Sequence, residues 1–167
     1  TSSISSTNLD VNDIWMVRVT PNDGYTDGDY TEVSITVSNS NPVLSTPSIS
    51  SSLSGVYNDA TVTCSATASD IDETVTPTYS WNINGSTVTG NSVDLGNYTV
   101  AVGDSIACTA DVSDSNGGSD SSQTSVAIEN RSPSITTVSI SPTNPSSQDM
   151  LTCSVTSSDP DGDSLVD

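Results

Sequence analysis

The chain has 167 residues, 32% of them hydrophobic and none of them Phe, so any core must be small and built from Val, Ile, Leu and a few aromatics. Twenty-one acidic residues face two arginines, Arg18 and Arg131, with no Lys and no His, for a formal charge of −19. That balance excludes nucleic-acid binding, which needs Lys and Arg to displace counterions, and disfavours an anionic membrane surface. It favours hydration and the binding of cations. No run of 18 apolar residues is present, so no helical membrane span is expected. Ser, Thr, Asn, Asp and Gly dominate the rest, yet the apolar residues fall in short alternating runs, which points to strands rather than disorder.

The chain repeats itself. Asn12-Asp13-Ile14-Trp15-Met16-Val17 lies over Gly103-Asp104-Ser105-Ile106-Ala107-Cys108 at an offset of 91 residues. The match runs on without a gap through Asp23 over Asp114, Ile35 over Val126, Asn39 over Asn130 and Pro42 over Pro133, and Ile49 then falls over Ile140. A shift of two residues brings Thr63-Cys64-Ser65 over Thr152-Cys153-Ser154, Asp70 over Asp159 and Asp72 over Asp161. Three segments follow: 1–41 as the C-terminal part of one repeat, 42–132 as a complete repeat, and 133–167 as the opening of another. A period near 91 suits an independently folding domain better than a solenoid unit. The pattern enters and leaves in mid-repeat, so the chain is expected to be an internal piece of a longer array. The junctions, Ser38-Asn39-Ser40-Asn41-Pro42 and Glu129-Asn130-Arg131-Ser132-Pro133, are short, polar and end in Pro. Pro fixes its own φ and restricts the residue before it, so these linkers are expected to be semi-rigid and the array an extended rod.

In the complete repeat about seven short strands are predicted. Ile49 marks the first. Thr61–Ala66 alternates with Val62, Cys64 and Ala66 inward, and Thr78–Ile83 with Tyr79, Trp81 and Ile83 on one face. Asn84-Gly85 signals a hairpin turn. Val88, then Val93 with Leu95, then Tyr98–Val100 are shorter strands. Ser105–Val112 places Ile106, Cys108, Ala110 and Val112 on one face, and Gln123–Glu129 turns Val126 and Ile128 inward. Asn116-Gly117-Gly118 turns the chain between these two. No segment carries a capped 3.6-residue apolar period, so essentially no helix is expected.

Three cysteines make an odd number, and the repeat accounts for it. Cys64 and Cys108 lie in one repeat on strands able to face each other, Cys153 matches Cys64, and Val17 stands where Cys108 stands. A Cys64–Cys108 bond is the expected state, two free buried thiols being the alternative. The Cys64…Trp81…Cys108 arrangement resembles the immunoglobulin pattern of strands B, C and F, in which the Trp packs on the bridge. One departure is that Ile106 occupies the place of the tyrosine-corner Tyr, two residues before the second Cys. Val19-Thr20-Pro21-Asn22-Asp23-Gly24, Tyr79-Ser80-Trp81-Asn82-Ile83-Asn84-Gly85, Leu151-Thr152-Cys153-Ser154 and Ser158-Asp159-Pro160-Asp161-Gly162-Asp163 resemble tandem immunoglobulin-like (Ig, PKD or cadherin-like) repeats of large bacterial and archaeal surface proteins. The resemblance covers the whole chain. It implies an all-β chain of tandem immunoglobulin-like β-sandwich domains, secretion, a cell-surface or filament role with neighbouring domains as partners, and no catalytic residues.

The residues themselves agree on catalysis. Without His or Lys the usual general bases and Schiff-base nucleophiles are missing, Ser has no partner base, and the carboxylates sit in turns. No enzymatic role is expected, and Lys–Asn isopeptide cross-links are excluded. Calcium is the candidate cofactor. Asp159, Asp161 and Asp163 place three hard oxygen donors on alternate positions around Gly162, and the equivalent loop carries Asp70, Asp72 and Glu73. The competing reading is that Asp, Asn and Gly are ordinary turn formers, and the pattern is shorter than an EF-hand loop. Asn84 and Asn97 fit the N-x-[ST] glycosylation pattern. Tyr25, Tyr30 and Tyr57 are the aromatics a sugar would stack on, and they carry the alternative of an adhesin or carbohydrate-binding module contacting glycans or another cell surface. A second alternative is a polymer-forming subunit whose partial repeats complete one another between chains. The two partial repeats lack a counterpart of residues 79–91, which favours continuation into further domains instead.

Overall fold

The computed structural model describes residues 3–166. The chain is all-β. In order, the strands are β1 (Ile14–Val19), β2 (Thr31–Thr36), β3 (Val43–Leu44), β4 (Ser48–Ser51), β5 (Thr61–Ser65), β6 (Ala68–Ser69), β7 (Thr78–Ile83), β8 (Ser86–Thr89), β9 (Ser92–Asp94), β10 (Ser105–Ser113), β11 (Ser119–Ala127), β12 (Ser134–Ser141) and β13 (Thr152–Ser158). No α-helix occurs among the described residues. The helical segments there are two single 3-10 turns, Ser6–Asn8 and Leu95–Asn97.

The strands form open sheets. β1 pairs with β2, β12 with β13, and β3 with β6; β4-β5-β9 make a three-stranded sheet and β11-β10-β7-β8 a four-stranded one. Lettered in the immunoglobulin manner, β4-β5-β9 are A-B-E and β11-β10-β7-β8 are G-F-C-C′, with the paired cysteines on B and F and the Trp on C. The two sheets pack face to face. From the first come Val62, Cys64 and Val93; from the second come Trp81, Ile83, Ile106 and Cys108; all are buried in one cluster with Leu95, Val100 and Ile128. The alternation explains this: β10 reads exposed-buried along its length, with Ile106, Cys108, Ala110 and Val112 the buried set. Cys64 and Cys108 are bonded across the sandwich, their Cα atoms 6.4 Å apart. Tyr79, on the C strand, reaches across to the end of β5, where its Oη accepts from Ala66 N at 3.0 Å and donates to Ala66 O at 3.2 Å.

Two sequence expectations are corrected. Leu95 is not in a strand: the Asp94 side chain accepts from Gly96 N at 3.0 Å and opens the 3-10 turn that carries Leu95 into the core. Tyr98–Val100 is likewise outside any strand. The Asn84-Gly85 turn is as expected. Both residues have positive φ, 48° and 84°, the conformation of a two-residue hairpin loop joining β7 and β8.

Hydrogen bonds recur at the repeat offset. Asn12 N donates to Val37 O at 2.9 Å, and Gly103 N to Ile128 O at 2.9 Å; Val37 N donates to Asp13 O at 2.8 Å, and Ile128 N to Asp104 O at 2.8 Å. Asp13 and Asp104 each accept, on a carboxylate oxygen, the N–H three residues upstream, at 3.2 and 2.9 Å. The A–B register recurs too: Ile49 is paired with Cys64, and Ile140 with Cys153. By spatial proximity the chain divides into two compact units, residues 1–45, 67–77 and 111–122 in one and 46–66, 78–110 and 123–167 in the other. Each Pro-ended junction, with the loops it touches, lies inside a single unit.

The bridge closes 44 residues of chain. On the chain-entropy model it stabilises the fold by about 4 kcal/mol. The double substitution C64A/C108A is therefore expected to lower the unfolding free energy in urea by about that amount, with peptide mapping of the unreduced parent showing the 64–108 link. An unchanged midpoint would show that the core does not rely on the bridge.

Candidate functional site at the two proline-ended junctions

Each junction is built on an Asp that organises its own turn. Asp70 Oδ1 accepts the N–H groups of Asp72 and Glu73 at 2.7 and 3.2 Å. Asp159 Oδ1 accepts those of Asp161 and Asp163 at 2.8 and 3.3 Å. This is the local preference of Asp for backbone donors shortly downstream. The turn presents the next carboxylate to the linker. Asp72 Oδ2 accepts Ser40 N at 2.7 Å, and Asp161 Oδ2 accepts Arg131 N at 2.5 Å. Ser40 and Arg131 are equivalent linker positions, as are Asp72 and Asp161. Both junctions thus carry the same latch, a carboxylate closed on one linker N–H.

Around the first latch, Glu73 Oε2 accepts Ser115 Oγ at 2.9 Å, and Asp114 accepts Asn39 Nδ2 at 2.8 Å, Gly118 N at 2.7 Å and Asn116 N at 2.9 Å. Asn12 Nδ2 reaches Asn116 Oδ1 at 3.2 Å. The Asn39 amide foremost, joined by the N–H groups of Gly118, Asn116 and Gly117, outweighs desolvation and holds the Asp114 carboxyl below the usual carboxylate range. A Cβ at position 118 would stand 2.2 Å from Asp114 Oδ2 and 2.8 Å from Asn41 Oδ1, so a larger residue there would push the Asp114 carboxylate away from its place.

The second latch adds a side chain. Arg131 Nε donates to Asp161 Oδ1 at 2.9 Å, Nη1 to Asp59 Oδ2 at 3.2 Å, and Nη2 to Asn58 Oδ1 at 3.3 Å and Pro160 O at 3.1 Å. Its guanidinium also lies 4.7 Å from the Tyr57 ring centroid, and Asn58 Nδ2 donates to Asp161 O at 2.7 Å. The planar fork of Arg suits it to this many-sided contact. The Asp161 side chain is only 1% exposed and that of Arg131 22%. Burial works against the guanidinium charge, but Asp161 and Asp59 outweigh it and raise the Arg131 pKa above its ordinary value.

The six carboxylates expected around calcium are thus placed in turns and latches. Among the described residues no three Asp, Glu, Cys or His side chains are gathered in a metal-holding group. Two oxygens at the first junction, Asn39 Oδ1 and Asp70 Oδ2, are buried without a hydrogen-bond partner. Asn84 Nδ2 donates to Thr99 O at 3.0 Å and to Asp104 Oδ2 at 2.9 Å, so a glycan on that nitrogen would displace one of the two bonds. Asn97 is exposed at the end of its 3-10 turn. Of the tyrosines, Tyr57 is under Arg131, Tyr30 under Arg18 at 4.3 Å, and Tyr25 is 97% exposed. Sequence reasoning missed the latches and the Arg131 clamp. The signal available was that one of the chain's two cations sits in a linker.

No family model matches the chain, and no curated protein does. Among solved structures the chain is similar to the crystal structure of the PKD1 domain from Vibrio cholerae metalloprotease PrtV, at 23% identity and a TM-score of 0.34, over 53% of this chain and 98% of that one.

Substituting Arg131 by Met leaves the buried Asp161 carboxylate without its cation, and a loss of stability larger than that from neutralising Asp72 is expected in urea unfolding. Asp72→Asn, at a latch with no guanidinium, should cost about 1 kcal/mol. Equal effects of the two would contradict the different construction of the junctions. Acid should act as well. Asp104, held low first by the Asn84 amide and then by Ala101 N–H, and Asp114 both have folded pKa values below their unfolded ones. Their stabilisation is complete above the ordinary carboxylate pKa and is lost as pH falls through the lowered values. Melting temperature should therefore drop on acidification below about pH 4, and D104N/D114N should flatten that drop.

Proposed function

We propose that this chain is a structural segment of an extracellular surface protein, filament or stalk, assembled from tandem immunoglobulin-like sandwiches with boundaries at 41/42 and 132/133. The observation that carries the reading is the repeated latch. The same carboxylate position closes on the same linker N–H at both junctions, 91 residues apart along the linkers. A device that holds successive domains by their linkers serves mechanical continuity; catalysis has no use for it. The absence of His and Lys points the same way. The Cys64–Cys108 bond supports an oxidising, extracellular location. The neighbouring domains are the partners in this reading, and the high negative charge keeps the segment hydrated.

Two further features of this reading have observations behind them. The buried oxygens of Asn39 and Asp70, which lack hydrogen-bond partners, are what supports calcium at the first junction. A rise in melting temperature with Ca²⁺, above that given by Na⁺ at equal ionic strength, is the expected result; equal curves would remove calcium from the account. The bare ring of Tyr25 favours the adhesin alternative, and a glycan array on which Tyr25→Ala loses binding would support it.

Single-molecule pulling tests the mechanical reading. With the bridge intact only the part of the 91-residue repeat outside the 44-residue loop can extend. One unfolding step of about 16 nm is expected, growing to about 30 nm after reduction, at roughly 3.4 Å per residue. Featureless extension without a step would refute a folded mechanical unit.

A further inference from the structure

A protease that cuts after basic residues has two bonds to choose from in this chain, because it holds two Arg and no Lys. Arg18 lies inside β1, paired with Glu32 of β2, where the backbone is held in a sheet ladder. Arg131 lies in the linker between β11 and β12, a stretch with no strand of its own and the kind of segment where chains are nicked. Glu129, Asn130, Ser132 and Pro133 are all exposed, whereas Arg131 between them is half-buried, its side chain 22% exposed. The one residue such an enzyme must grasp is the one residue of this stretch that the fold covers.

A trypsin-like protease takes its substrate as an extended strand and buries the basic side chain in a pocket of its own. Arg131 is held against both requirements. Its guanidinium is spread over Asp161, Asp59, Asn58 and Pro160 and faces the Tyr57 ring. Its N–H is held by Asp161 Oδ2 at 2.5 Å. Two residues upstream, Glu129 N donates to Val56 O at 2.8 Å and Glu129 Oε1 accepts Val56 N at 3.1 Å. The approach to the bond is therefore tied down as well as the residue before it. We infer that the Arg131–Ser132 bond is a masked cleavage site for a trypsin-like protease, closed while the Asp161–Arg131–Asp59 clamp holds and open when it releases. In the cut, water adds across the Arg131–Ser132 amide, leaving a carboxylate on Arg131 and an amine on Ser132. The rate is set by the small fraction of molecules whose clamp is open. The masking rests on the clamp alone; the tandem reading enters only in what the cut separates, the complete repeat from the one that follows.

Trypsin at neutral pH, with products assigned by mass spectrometry, tests this on the whole chain. The unsubstituted chain should be cut after Arg131 about a hundredfold more slowly than a synthetic peptide of residues 127–135, the protection that two hydrogen bonds to charged groups supply. Asp161→Asn should speed the cut about tenfold, and Asp59→Asn, at a more exposed carboxylate, by less. Asp72→Asn, which acts at Ser40, should leave it unchanged. Cleavage after Arg18 is the internal control and should not respond to Asp161→Asn. Low urea should barely alter the rate after Arg131, because opening a clamp exposes little surface, whereas unfolding of the flanking strands would make the rate climb steeply. Cutting as fast as in the free peptide, indifference to Asp161→Asn, a steep rise with urea, or no cut after Arg131 in D59N/D161N would each overturn the masked site. Any of these leaves the mechanical reading standing, since the unfolding step under force decides that separately.

Discussion

Twenty-one carboxylates share two guanidinium groups in this chain, so its acids must find most of their partners among N–H and amide groups. That constraint shapes the turns. Asp70 and Asp159 each take two backbone N–H groups, Asp23 takes those of Tyr25 and Thr26, and Asp114 takes Gly118, Asn116 and the Asn39 amide. Hydrogen bonds to an ionised acceptor are stronger than neutral ones, and they favour the charged form. A surface that would otherwise only repel itself is converted into a set of pinned loops. The latches are this same chemistry applied to a linker.

The two junctions show what one cation changes. At Ser40 the carboxylate of Asp72 holds a backbone N–H, and the surrounding contacts are among acids, amides and hydroxyls. At Arg131 the equivalent bond is joined by a guanidinium that touches Asp161, Asp59, Asn58, Pro160 and Tyr57. A buried Asp161 is tolerable only with that cation beside it. The core between the sheets answers a different scarcity. With no Phe, the cluster around Trp81 relies on small aliphatic residues and on the Cys64–Cys108 bond.

Much of the fold is legible in the sequence because alternation and spacing are properties of the chain itself. Val62 and Cys64 alternate inward, Ile106 to Val112 do the same, and the Trp lies between the cysteines as strand C requires. Leu95 escapes that reading because alternation cannot register that the preceding Asp94 caps a 3-10 turn. The acid loops are legible as places and not as roles. Asp159-Pro160-Asp161-Gly162-Asp163 reads as ligand spacing, but whether Asp161 faces a cation or a linker N–H depends on where residue 131 lies in space. The repeat alignment does place Asp72 with Asp161 and Ser40 with Arg131; what it lacks is the distance between the two pairs.

Hydrogen exchange at single amides tests the latch most directly. In the unsubstituted chain the N–H groups of Ser40 and Arg131 should be protected, in Asp72→Asn the protection of Ser40 alone should fall, and in Asp161→Asn that of Arg131 alone should fall. Amides that exchange freely from the start, or that stay protected when their carboxylates are neutralised, would contradict the account.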